Sequence, residues 1–346
     1  MHMADALISP AVGGTMWVAT AGLAAYAAKK IQAEPDEKKV PLMGVLGAFI
    51  FAAQMINFTI PGTGSSGHLG GGLILAILLG PYAGLLVMAS ILTVQALFFG
   101  DGGLLALGCN IFNLGFYPCF IAYPLIYKRL LKDNPSRRRI FWGAMLAAVV
   151  SLQLGAFSVV LETVTSGISG LPFRIFVLLM QPIHLAIGIV EGFITAAVVA
   201  FVWQARPEII QNAAERKPVG NISLKKVLVG LGIVTVLTGG ILSWFASTHP
   251  DGLEWSMFRA SGKEAPETSE PLHESLARIQ AKTALLPDYG FKEPETPKQE
   301  TQAQPAWPGV NGGTTVAGLV GALLTLTVAG CIGLGLNLLK KRKKRA

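Results

Sequence analysis

IFWGAMLAAVVSLQLGAFSVVL, residues 140–161, contains no charged side chain. A charge-free apolar run of about 20 residues can cross a hydrocarbon core as a helix. Arg137, Arg138 and Arg139 precede the run and Glu162 follows it. Similar runs occur on both sides. Apolar spans are predicted at about 12–28, 40–58, 69–80, 81–99, 103–127, 140–161, 173–203, 227–246 and 314–339. Over 346 residues the chain is 52% hydrophobic and 14% charged, with a mean hydropathy of +0.53. Soluble domains carry about 25% charged residues. The composition therefore points to an all-α polytopic membrane protein.

The net charge of +8 is explained by topology rather than by a nucleic-acid partner. Lys and Arg cluster in the turn at 29–39, in the loops at 128–139 and 204–226, and in the tail Lys340–Arg345. If the first turn is cytoplasmic, alternation puts every other cluster there too, as the positive-inside rule requires. The N-terminus, the 59–72 loop, the Asp101 turn, the Glu162 loop and segment 247–313 then face outward, and the C-terminus lies in the cytoplasm. A prokaryotic inner membrane is implied. The tail reads as an anchor near anionic lipid. The N-terminus does not read as a signal peptide, because it lacks a basic start and carries Asp5 and Pro10 before the first run. Cys109, Cys119 and Cys331 lie in apolar stretches without CxxC spacing and read as small buried hydrophobes.

Segment 247–313 is rich in Pro and Glu and holds ten of the 20 acidic residues. Part of it is expected to be disordered. Residues 272–286 suit one amphipathic helix, and the rest suggests no fold.

The chain opens Met1-His2. Histidine is a poor penultimate residue for methionine removal, so Met1 is retained and supplies a free amine. That amine, the His2 amide nitrogen and the His2 Nδ1 reach one ion in a five- and a six-membered ring. One further nitrogen completes a square plane, which suits Ni(II) and Cu(II). His68 lies in the glycine-rich stretch Gly62–Leu69, on the same predicted side, so the two histidines can meet. Because the ligands must lose protons on binding, a strongly Lewis-acidic ion is needed. Ni(II) is favoured, with Co(II) close behind. Cu(II) would bind more tightly on intrinsic grounds, so supply and partners must decide its exclusion.

Other motifs carry weaker signals. Gly62–Leu69 nearly spells a phosphate-binding loop but lacks its Lys and Ser/Thr, and it faces the wrong side for ATP. His184 and Glu191 are intramembrane ionisable groups on similar faces of one span. They fit a proton relay, a second metal site or a packing pair, the last being favoured. HExxH is absent. Gln54, Asn57, Gln95, Asn110 and Asn113 suit either second partners for a ligating imidazole or interhelical hydrogen bonds. Ala21/Ala25 and Ala24/Ala28 are small-residue pairs that permit close helix contact. His249, Asp251, Glu254 and His273 read as solvated loop residues, with transient metal capture the alternative.

The opening Met1-His2-Met3-Ala4-Asp5-Ala6-Leu7-Ile8-Ser9-Pro10, together with the His68 loop, resembles the CbiM/NikM family. These are substrate-binding (S) components of energy-coupling-factor cobalt/nickel transporters. Met3, Ala4 and Ala6 depart from the usual opening, but their side chains supply none of the proposed nitrogens. Pro250-Asp251-Gly252-Leu253-Glu254 resembles the signature of the CbiN/NikN-like accessory subunit, the PDGLE domain. The resemblance implies three parts: a metal-binding domain at 1–204, a cytoplasmic linker at 205–223, and a PDGLE domain at 224–346 with outer loop 247–313. It implies a bundle of six or seven transmembrane helices plus two flanking the outer loop.

The resemblance also implies a site: Ni2+ or Co2+, as transported substrate, held by the Met1 amine, the His2 amide and imidazole nitrogens, and the His68 imidazole. It implies partners outside the chain, a transmembrane coupling protein and two cytoplasmic ATPase subunits. A small-residue face on the first span is expected to meet the coupling protein. No catalytic residues and no organic cofactor are expected. Two alternatives stand beside this reading: a self-sufficient proton-coupled transporter using His184 and Glu191, and a membrane-bound enzyme subunit.

Overall fold

A computed structural model describes residues 2–33, 36–131, 135–262, 270–292 and 307–345. Among these residues the chain is helical apart from one small hairpin. The first helices are α1 (Pro10–Ala33) and α2 (Lys39–Gln54). The hairpin pairs β1 (Phe58–Ile60) with β2 (Ser65–Gly67), Phe58 lying opposite Gly67. There follow α3 (Gly72–Leu79), α4 (Pro81–Phe99), α5 (Leu107–Leu131), α6 (Arg137–Ser166) and α7 (Phe173–Ala205). The second part contains α8 (Pro207–Glu215), α9 (Lys225–Gly240), α10 (Gly252–Ser261), α11 (Pro271–Thr283) and α12 (Gly312–Arg345).

Helices α1, α4, α5, α6, α7 and α12 are long and apolar enough to cross a membrane. Large apolar side chains such as Leu178, Phe193, Ile233 and Val236 stand exposed around the outside, where lipid would cover them. The all-α, multi-pass membrane character read from composition is what the fold has.

The nine expected spans are not equivalent, however. α3 has only 8 residues. At 1.5 Å per residue it is about 12 Å long, well short of a bilayer. All of its residues are buried, so it meets neighbouring helices instead of lipid, which is where a short helix is tolerated at membrane depth. Gly71 and Gly80 bound it at φ 79° and 82°, and Pro81 opens α4. α2 and α9 have 16 residues each. The predicted 227–246 span ends early, because the chain turns into a short 3-10 segment at Leu242–Phe245.

Several other expectations change. Glu162 is not a loop residue; it lies within α6 and is buried. The 204–226 stretch contains α8, whose Ile209, Ile210 and Ala213 are buried. Its density of charge hid that apolar face. In 247–313 the expected helix at 272–286 appears as α11, and α10 forms where no fold was assigned. Asp251 starts α10 with a capping box: its Oδ1 accepts from Leu253 N at 2.8 Å and Glu254 N at 2.9 Å. Within this segment 263–269 and 293–306 lie outside the described residues.

Close contacts at glycines set the helix arrangement. Gly188 of α7 faces Val149 and Gly192 faces Met145, drawing α6 and α7 together. Gly239 of α9 and Gly318 of α12 cross so closely that a Cβ on Gly318 would lie 2.3 Å from the Gly239 carbonyl oxygen. α12 also packs on α2, with Gly44 against Leu326 and Gly47 against Thr325. The two C-terminal spans are thus part of the same helical body.

Candidate metal site

The first residues are threaded into the bundle. Met3 N donates to Asn110 Oδ1 at 2.8 Å, and the Met3 carbonyl accepts from Asn110 Nδ2 at 3.2 Å and Gly103 N at 2.9 Å. Asp5 accepts from the backbone of Leu104 at 3.2 Å and Ala106 at 2.9 Å. A Cβ on Gly103 would lie 1.9 Å from Asp5 Oδ1, so only glycine admits the segment there. Met1, named above as a metal ligand, lies outside the described residues.

His2 and His68 meet. Their rings stack at 5.0 Å between centroids with planes 7° apart. His68 Nδ1 donates to the Leu69 carbonyl at 3.1 Å, which leaves the lone pair on Nε2. Burial, with neighbouring positive charge adding to it, pushes this imidazole down to about 3. A neutral ring is the form that ligates metal.

The His2 ring departs from expectation. Its Nδ1, expected in the chelate, lies 3.1 Å from Asp101 Oδ1, and its buried Nε2 has no hydrogen-bond partner among the described residues. Nδ1 cannot serve a chelate ring while it donates to a carboxylate. Burial alone would raise the Asp101 carboxyl, but the His2 ring and the Tyr289 hydroxyl hold it below the usual carboxylate range. Sequence reading missed Asp101 as a partner. The available signal was an acid among glycines in a turn predicted on the same side as both histidines.

α7 braces the His68 loop. Both Glu191 oxygens accept backbone N–H groups, from Gly70 at 2.8 Å and Gly71 at 3.0 Å. Gln54 Nε2 donates to the Gly70 carbonyl at 2.9 Å, and Gln95 Nε2 donates to Gln54 Oε1 at 2.9 Å. A Cβ on Gly67 would lie 2.4 Å from Ile187 Cγ1. The glycines thus let the backbone run against α7. His184 and Glu191 are not a mutual pair, since His184 Nδ1 bonds the Met180 carbonyl at 2.8 Å.

Of the five polar candidates for second partners, the side chains of Asn110, Asn113, Gln54 and Gln95 serve other groups, and Asn57 is engaged through its backbone. Asn110 holds Met3, Asn113 donates to Glu162 Oε2 at 2.7 Å, and the Asn57 carbonyl accepts from Ser247 N at 2.7 Å. Gln54 and Gln95 form the relay to Gly70.

The segment read as a solvated loop closes over this site. Ser66 N donates to the Pro250 carbonyl at 2.8 Å, and Ser66 Oγ donates to the His249 carbonyl at 2.8 Å. Trp255 Nε1 reaches the Thr63 carbonyl at 3.0 Å. On the other side, His273 is 3% exposed and its Nε2 bonds the Ile8 carbonyl at 2.9 Å. Gln280 donates to the carbonyls of Ala96 at 2.9 Å and Gly102 at 2.7 Å, next to Asp101. Solvation therefore fails as a description of Asp251 and His273. Backbone pairing that spans some 180 residues is invisible to local sequence patterns.

Residues 2–209 match the family described as "Cobalt uptake substrate-specific transmembrane region" (CbiM), and residues 225–338 match the PDGLE domain. The chain is 30% identical over 316 residues to the fused nickel transport protein NikMN of Rhodobacter capsulatus, covering 84% of this chain and 88% of that one. It is 27% identical over 221 residues to the cobalt transport protein CbiM of Sorangium cellulosum, covering 61% and 95%. A crystal structure of a truncated transition metal transporter aligns with a TM-score of 0.53 at 32% identity, covering 59% of this chain and 99% of that one.

Proposed function

The chain belongs to the CbiM family, with a PDGLE domain behind it, and from that premise we propose that it captures nickel, with cobalt the close alternative, at the outer face of a prokaryotic cell membrane. It is a membrane transport component and not an enzyme. The ion is held by the Met1 amine, the amide and imidazole nitrogens of His2, and the imidazole of His68. The observation that carries this reading is the stacking of the two rings at 5.0 Å, in a site where His68 is buried. Chelation through His2 Nδ1 then requires the ring to exchange Asp101 for the ion. The displaced carboxylate stays close enough to offset the ion's charge.

The proposed parts are the metal-binding domain 1–204, the linker 205–223 and the accessory unit 224–346. The N-terminus faces out and the C-terminus in. Partner ATPases and a transmembrane coupling protein drive release inward. The coupling protein is assigned to the small-residue face of α1, where Ala21 and Ala25 are exposed and, among the described residues, no atom outside the local backbone of α1 lies within 4 Å of a Cβ built on Gly22. The accessory unit seats the N-terminus and the His68 loop, supported by the His273–Ile8 and Ser66–Pro250 bonds.

The test is metal analysis of the purified protein with and without one residue inserted before Met1. The insertion shifts His2 out of chelating register while leaving its side chain in place. Loss of bound nickel is expected; nickel retained at full stoichiometry would overturn the ligand set. The proton-coupled alternative predicts uptake that survives without ATPases and is lost in Glu191→Gln. The same uptake assay separates the two.

A further inference from the structure

We propose that His184 is a transient second ligand, an outer station through which the ion passes on its way to the His2–His68 pair. This rests on the reading above of that pair as the holding site.

His184 is 1% exposed, and its neighbours Ile183 and Ile187 are buried and apolar. Its Nδ1 bonds the Met180 carbonyl at 2.8 Å, so the lone pair sits on Nε2. That Nε2 is buried and has no hydrogen-bond partner among the described residues. A buried polar atom left unsatisfied is destabilising, and its presence asks for a reason.

A reason lies beside it. A cavity of about 10 Å³ is lined by His184, His68, Asp251, Gly67 and Gly252 among others. That is room for about one water-sized centre. Gly252 keeps the space open on the accessory side, since a Cβ there would lie 3.2 Å from His184 Cε1 and 2.6 Å from Ile183 Cγ2.

Position gives the direction of travel. His184 lies one turn before Ile187, which touches Gly67, and two turns before Glu191, which holds Gly70 and Gly71. It therefore sits at the end of the His68 loop that meets the accessory turn. An ion arriving there has the two imidazoles of His184 and His68 along one cavity. Only ligand exchange is needed: water or His184 leaves as His68 and then His2 bind. Among the described residues no three His, Cys, Asp or Glu gather closely enough to hold an ion. This suits a station that passes the ion on. Imidazole donors select borderline transition ions such as Ni(II) and Co(II) over Mg2+ and Ca2+.

A ligand on the path speeds loading and release together and leaves their ratio alone, whereas a packing role changes affinity or melting temperature. The experiment follows nickel loading of the full chain in detergent by stopped-flow absorbance, in wild type and His184→Asn. Asn keeps a donor for the Met180 carbonyl; His184→Gln is read identically should the first variant fold poorly. Loading and release are each expected to slow about tenfold with an unchanged ratio and melting temperature. A wild-type loading rate, or slowing matched by lost affinity, overturns the proposal. Equilibrium dialysis at high nickel in a His2→Ala background reads the station directly, whatever becomes of the holding site. A weakly bound ion should vanish when His184→Asn is added; its persistence also overturns the proposal.

Discussion

Glu191→Gln removes one charge and exchanges one oxygen for nitrogen, yet it should strongly weaken a site whose histidines it never touches. Both carboxylate oxygens accept N–H groups of the His68 loop, at 2.8 and 3.0 Å, in a fully buried setting. Hydrogen bonds to charged groups contribute about 1.5–3 kcal/mol each. Gln retains one acceptor oxygen but turns its NH2 toward the second backbone N–H, leaving that donor unsatisfied. The loop's seated conformation should therefore lose about 2–4 kcal/mol. Part of this is absorbed if the wild-type loop is firmly seated, because affinity falls only with the seated fraction. With tenfold per about 1.4 kcal/mol, nickel affinity should fall roughly 10- to 100-fold. Competition against a chelator of known affinity, on purified full-length protein, measures this directly. Unchanged affinity together with an unchanged melting temperature would refute the idea that α7 seats the loop.

Asn110→Ala removes both side-chain bonds to the Met3 backbone and should weaken nickel binding by about tenfold, from 1–3 kcal/mol of unsatisfied backbone; the same chelator competition checks it. Deleting 247–313 should cut cellular nickel uptake while circular dichroism shows the bundle still helical, because the segment's bonds fall on the N-terminus and the site loops. For pH, the folded His68 lies near 3, below its ordinary 6.5. Between these values the unfolded chain binds the extra proton, so stability falls as pH drops from 6.5 toward 3 and is unaffected by this group above 6.5. Melting curves of wild type and His68→Gln should therefore show parallel pH dependence above neutrality and a steeper loss for wild type below it.

Charge-free runs and basic clusters located each of the six long helices because lipid burial is a bulk property of a segment. They overcounted at residues 72–79, since hydropathy cannot distinguish a helix that faces lipid from one enclosed by protein. α8 stayed hidden for the opposite reason: a nine-residue amphipathic helix looks like a charged loop. The two histidines were legible from the Met1-His2 opening and from topology. Asp101 was not, because a carboxylate in a glycine turn has many uses until its neighbour is known. Glu191 stood out as an intramembrane acid, but its partners are backbone amides, and no side-chain pattern announces those. The reach of the accessory segment over the site depends on pairings such as Ser66 with Pro250 and Gln280 with Gly102, set by the tertiary fold alone.

The crossing of α9 with α12 at Gly239 and Gly318, with α12 also laid along α2, ties the cover to the vessel it closes. In a two-chain arrangement, dilution would let such a cover drift away. Here a covalent tether fixes its local concentration whatever the expression level. On the proposed reading, α10 and the turn before it must leave the β1–β2 hairpin, to which Trp255, Pro250 and His249 bond them, before an ion can reach His68. A cross-link from α10 to β2 should accordingly halt the cycle in a way that lowering protein concentration never could.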